Sequence, residues 1–110
     1  MPQERWDEKE WRQAIADLKV LCPIGGGANN VSIRRVSMPD DTYGDCDKRK
    51  GRFYIRIDKN ARFHEALLLL SHEWAHAMTW PLYKHRDEHH FAYFGIAWAE
   101  AYRAIFYMNR

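Results

Sequence analysis

The sequence predicts an α+β fold: an N-terminal helix, a small antiparallel sheet or hairpin, a long helix carrying the chemistry, and a C-terminal helix. Three observations carry this expectation. Apolar residues recur at helical spacing near the start, after the middle and near the end of the chain; residues 53–57 alternate apolar with polar; and Gly- and Pro-bearing segments separate these patterns. A chain of 110 residues has room for one modest core, read as a single domain over 1–110. Five Trp, six Tyr and five Phe supply large side chains to fill it.

The first helix is expected over residues 6–20. Trp11, Ile15, Leu18 and Cys22 follow the helical period, and the acidic Asp7, Glu8 and Glu10 sit near its start, where the helix dipole favours them. Pro23 and Gly25-Gly26-Gly27 stop it. No Gly-Lys-Ser/Thr follows the three glycines, so the segment reads as a turn into a strand rather than a phosphate loop. Residues 31–36 and 53–57 are the two strand candidates; in the second, Phe53, Ile55 and Ile57 point to one face. Residues 37–52 between them, with Pro39, Asp40, Asp41, Gly44, Asp45 and Gly51, read as a long loop or ragged hairpin. Its tip, Lys48-Arg49-Lys50-Gly51-Arg52, is basic, but solvated loop tips share that composition. With a formal net charge of only +2, nucleic acid is not an expected partner.

Asn60 or Asp58 is expected to cap the next helix, which ends near Thr79-Trp80-Pro81 because proline disfavours helical geometry in the residue before it. Phe63, Leu67, Leu70, Trp74, Ala77 and Met78 form its apolar stripe. A loop over 82–88 follows, and then a last helix over 89–107. Phe91, Phe94, Trp98, Tyr102 and Ile105 are its expected core face; Ala97, Ala101 and Ala104 allow close approach of a neighbouring helix.

Opposite the stripe of the middle helix lie His72, Glu73 and His76 of the pentapeptide His72-Glu73-Trp74-Ala75-His76. Two histidines four apart on a helix are about 40° apart around the axis and one turn apart along it. Both imidazoles can therefore reach one tetrahedral metal, with Glu73 flanking the same face as a candidate general base. Catalytic zinc usually takes three protein ligands. The third is sought among His85, Asp87, Glu88, His89, His90, Glu100 and, less plausibly, Cys46, and spacing alone does not choose between them.

The stretch from Leu69 to Met78, with His90-Phe91-Ala92-Tyr93-Phe94-Gly95 and Tyr102-Arg103 downstream, resembles small phage and prophage zinc metallopeptidases, which are related in pattern to SprT-like minimal metalloproteases. In that group a His-Glu-Trp-Ala-His helix is followed by a third His four residues before an aromatic, often with Gly next and Tyr-Arg or Trp-Arg further on. Here those positions fall on His90, Phe94, Gly95 and Tyr102-Arg103. The likeness extends loosely to Tyr43-Gly44-Asp45-Cys46 and covers residues 43–103. It implies a minimal zincin-like fold binding one Zn2+ through His72, His76 and His90. His89 is the runner-up for the third ligand and Glu100 a second choice, or else a hydrogen-bond partner of a ligand imidazole. The chain lacks the cysteine-rich zinc ribbon of larger SprT-like proteins, so neither a second metal site nor a DNA-linked role carries over.

The expected chemistry is hydrolysis of a peptide bond in a peptide or protein substrate. Zinc would polarise the carbonyl and Glu73 would take the proton from water and deliver it to the leaving amine. The edge of strand 53–58 is the expected place for an extended peptide to add. The alternative is a non-catalytic, zinc-stabilised binding or regulatory module. A peptide-deformylase-like site with Cys46 as ligand is disfavoured by Ala75, where that motif has Asp. No secretion signal is visible and no apolar run approaches a membrane span. A cytoplasmic setting without a membrane partner is therefore expected, and in that reducing setting Cys22 and Cys46 read as free thiols.

Overall fold

The computed structural model describes residues 5–27, 29–82 and 92–107. Among these the order is α1 (Glu8–Leu21), β1 (Val31–Val36), β2 (Gly44–Arg49), β3 (Arg52–Asp58), α2 (Phe63–Thr79), a 3-10 turn (Trp80–Leu82) and α3 (Ala92–Phe106). The architecture is α+β, as expected: three helices and one three-stranded sheet.

Helix α1 starts where Asp7 accepts a hydrogen bond from the backbone N–H of Glu10 at 3.0 Å, which satisfies one of the free donors of the first turn. It ends at Cys22, whose N–H returns to the carbonyl of Leu18. Trp11, Ala14, Leu18 and Cys22 are buried, and Ile15 packs at the margin of the same cluster.

The sheet departs from expectation in strand number and direction. Its order is β1-β3-β2; β1 and β3 run parallel, with Val31 opposite Phe53, and β2 and β3 form an antiparallel hairpin. The two anticipated strands therefore do not make the small antiparallel sheet by themselves. The added strand β2, Gly-Asp-Cys-Asp-Lys-Arg, falls in the segment expected as a long loop or ragged hairpin, and it forms the hairpin with β3. Gly44, Cys46 and Lys48 stand opposite Ile57, Ile55 and Phe53, and Asp45 and Asp47 opposite Arg56 and Tyr54, while burial falls along the strand, its first three residues being half-buried and its last three exposed. The hairpin closes through Lys50 and Gly51, both with positive φ (51° and 80°), the backbone of a two-residue turn whose twist matches its strands. Strand β3 is consequently central, with both edges paired. The outer edges of the sheet are those of β1 and β2, so residues 53–58 present no free edge for the peptide expected there.

Helix α2 packs on α1, α3, β2 and β3. Phe63, Leu67, Leu70, Trp74 and Ala77 of the anticipated stripe are buried and Met78 is half-buried. Neither Asn60 nor Asp58 caps it: the N-cap is Arg62, without a side-chain hydrogen bond, and the Asp58 carboxylate instead accepts from the N–H of Asn60 within the preceding turn. The helix ends at Thr79 ahead of Pro81. In α3 the alanine line is the true contact face: Ala97, Ala101 and Ala104 are buried with Phe94 and Ile105. Trp98 retains 38% of its surface in water, and Tyr102 is half-buried. Phe91 and the start expected for this helix at residue 89 lie outside the described residues. No helix among the described residues is long and apolar enough to cross a membrane.

Trp74 is fully buried and its Nε1–H donates to the carbonyl of Cys22 at 2.8 Å, tying α2 to the end of α1. Trp74→Phe should lower the free energy of unfolding by about 2–4 kcal/mol, from an unsatisfied buried carbonyl and a small void. Chemical denaturation measures it, and a change below about 0.5 kcal/mol would show that this tie contributes little.

Candidate metal centre

Residues 72–76 sit in the third and fourth turns of α2, so the helix itself sets their relation. His72, Glu73 and His76 each offer one ligand atom, and these atoms lie within 4.8 Å of one another. Among the described residues this is the one cluster of three or more His, Cys, Asp or Glu side chains arranged to hold a metal ion. His72 is half-buried, Glu73 is 6% exposed, and Nδ1 of His76 is buried. The two imidazole rings meet edge to face, centroids 4.9 Å apart.

The cluster opens onto a broad groove of about 1060 Å³ that runs past Gly44, Cys46 and Trp80 onto the outward sheet face at Arg34, Tyr54 and Arg56. Two residues of β2 shape the carboxylate's surroundings. Gly44 lies against it: a Cβ there would come 3.5 Å from Glu73 Oε2 and 3.0 Å from the carbonyl oxygen of Arg56. The tight contact would be the one with the Arg56 carbonyl, whereas that with Glu73 would be an ordinary van der Waals contact. Asp45 is held by Arg56, which donates to both of its carboxylate oxygens. Burial, and to a lesser degree the negative charge of Asp45, push the Glu73 carboxyl up to about 7.

These features fit a cation. Two imidazoles and a dehydrated carboxylate are hard and borderline donors suited to a divalent ion. A positive charge among them would offset the penalty that burial places on ionised Glu73. Cys46, a remoter ligand candidate, lines the groove but is not in the cluster; burial and the charges of Glu73, Asp45 and Asp47 raise its thiol pKa and keep it protonated. Glu100 is also outside the cluster. It is exposed on α3, and its charge contributes, after burial, to raising the Cys22 thiol to about 11. His85, Asp87, Glu88, His89 and His90 lie outside the described residues, so the third ligand expected at His90 does too.

Two aromatic rings of α3 border the site: Phe94, the aromatic of the resemblance, and Trp98, which the sequence placed only in the core face. Phe94 lies over both imidazoles, with centroids 5.0 Å from His72 and 4.5 Å from His76. Trp98 meets His72 edge to face at 4.9 Å. The i, i+4 spacing of Phe94 and Trp98 was a visible signal, since it puts both on one helix face; that the face meets two histidines was not. Searches with family models, among curated proteins and among solved structures gave no match to this chain.

The raised pKa of Glu73 has a measurable consequence for the metal-free protein. Its folded value of about 7 lies above the ordinary 4.5, so the folded state holds the proton more tightly than the unfolded chain does. The resulting stabilisation is fully present below pH 4.5 and is lost as pH rises through 7. In the presence of chelator, Glu73→Gln should be more stable than wild type at pH 8, by up to about 3 kcal/mol, and the difference should shrink towards pH 5. Denaturation of both proteins at the two pH values tests this; a pH-independent difference would contradict it.

Proposed function

We propose that this chain is a zinc-dependent metallopeptidase-like protein that hydrolyses peptide bonds. The observation that carries the reading is the convergence of His72, Glu73 and His76 at the head of an open groove bordered by an unpaired strand edge. In this reading His72 and His76 hold the metal through neutral imidazole nitrogens, and the resemblance to phage and SprT-like metallopeptidases assigns the third ligand to His90. Zinc, when bound, would supply a Lewis acid for the carbonyl and lower the pKa of water.

The chain's own residues do the rest. The Glu73 carboxylate accepts the proton of the attacking water and delivers it to the departing amine. Burial raises this carboxyl in the metal-free protein, and a divalent cation beside it would draw it back towards the ionised form that a general base needs. Gly44 leaves the carboxylate unobstructed on the strand side. The free edge of β2 offers backbone N–H and C=O groups to an extended peptide, which would lie along the groove with alternate side chains over the sheet face and towards α2. The free thiols Cys22 and Cys46 suit a reducing, cytoplasmic setting.

The test is cleavage of unfolded protein or a peptide library by the zinc-loaded chain, read by mass spectrometry, with Glu73→Gln as the paired control. Wild type should cut and Glu73→Gln should be slower by about 10²–10⁴-fold with its zinc retained. Cleavage unaffected by the substitution would remove Glu73 from the chemistry. Zinc retention with no cleavage by either protein would leave the non-catalytic binding module.

A further inference from the structure

We propose that Trp98 is a positioning residue: it fixes the imidazole of His72 for metal binding and is itself fixed by a hydrogen bond to Ser71. The inference rests on the metal reading above and extends it to a residue on another helix.

The indole Nε1–H of Trp98 donates to Ser71 Oγ at 2.9 Å. The Ser71 hydroxyl, fully buried, donates its only proton to the carbonyl of Leu68 at 2.6 Å. The hydroxyl is therefore not a free rotor; its proton is committed to the backbone, and its lone pair faces the indole. Indole, hydroxyl and carbonyl make a directional chain that anchors one edge of Trp98 to the backbone of α2, one turn below His72. From that anchorage the indole ring meets His72 edge to face, at 4.9 Å and 85°. Phe94, one turn earlier on α3, bounds the same imidazole at 5.0 Å and 68°. His72 thus lies against two aromatic rings from successive turns of one helix, one of which is pinned by a hydrogen bond.

A merely space-filling tryptophan would not need this arrangement. With 38% of its surface in water, Trp98 is a minor part of the core beside Trp74, which is fully buried. What its hydrogen bond adds is direction. An imidazole can ligate a metal only when one of its nitrogens points along the bond, and an unrestrained ring loses rotational freedom on binding. A ring already held loses less, so the ion binds more tightly.

The experiment compares zinc dissociation constants, by competition with a chromophoric chelator, for wild type, Trp98→Phe, Ser71→Ala and the double variant. Thermal unfolding of each protein in excess chelator accompanies it. Trp98→Phe keeps an aromatic ring but removes the donor. It should weaken zinc binding about tenfold while moving the metal-free Tm by no more than about 4 °C. Ser71→Ala should weaken binding similarly, and the double variant should be no weaker than the single ones, because all three lose the same hydrogen bond. Unchanged affinity in Trp98→Phe, with zinc bound normally by wild type, would overturn the positioning role alone. Losses that add in the double variant would overturn the route through Ser71. Absence of zinc binding by wild type would overturn the metal reading and this inference together.

Discussion

The indole of Trp74 is buried on the inner side of α2 and bonded to the carbonyl of Cys22, while one position earlier in the chain Glu73 is buried on the other side. That pairing constrains most of what surrounds it. Because Trp74 cannot leave the core without stranding a carbonyl and a large apolar surface, the rotation of α2 about its axis is fixed. With the rotation fixed, His72, Glu73 and His76 must face β2 and α3, and the dehydration of Glu73 follows from packing rather than from any polar partner. The same burial that stabilises the helix on one side raises the carboxyl pKa on the other. The site is thus maintained at a cost to the metal-free fold, a tension common where a fold holds reactive groups.

Strand β2 and helix α3 are the two walls that make the cluster a site rather than three residues on a helix. On the strand side, Gly44 packs beside the carboxylate and Asp45, tied to Arg56, adds negative charge near it. On the helix side, Ala97 and Ala101 bring α3 close enough for Phe94 and Trp98 to meet the imidazoles. One wall therefore shapes the charge of the site and the other its geometry. The groove between the sheet face and α2 is the space in which a ligand would lie.

The helices were legible in the sequence because their signals are local and periodic: Trp11 and Leu18 mark the buried side of α1, and Phe63 to Ala77 the stripe of α2. The pentapeptide at residues 72–76 was legible for the same reason, since helix geometry alone converts its spacing into proximity. Strand β2 was not, because Asp45, Asp47, Lys48 and Arg49 give it no run of apolar residues and its strand geometry comes from pairing with β3. The parallel direction of β1 was hidden too, as it depends on β3 entering between the other strands. Trp98 was read as core from its period, yet it lies half out of the core and against His72, a contact set by the crossing of two helices. The absence of a cap at Asn60 or Asp58 has a similar origin: Asp58 is used by the turn that leaves β3.

The central claim is that His72 and His76 together hold a metal ion, and metal content per chain tests it most directly. Wild type and the His72→Ala/His76→Ala variant would be reconstituted with zinc, desalted without chelator and measured by mass spectrometry alongside circular dichroism. One zinc per wild-type chain, and marked loss from a variant that keeps its helical spectrum, is the predicted result. Zinc absent from wild type, or retained equally by the folded variant, would contradict it.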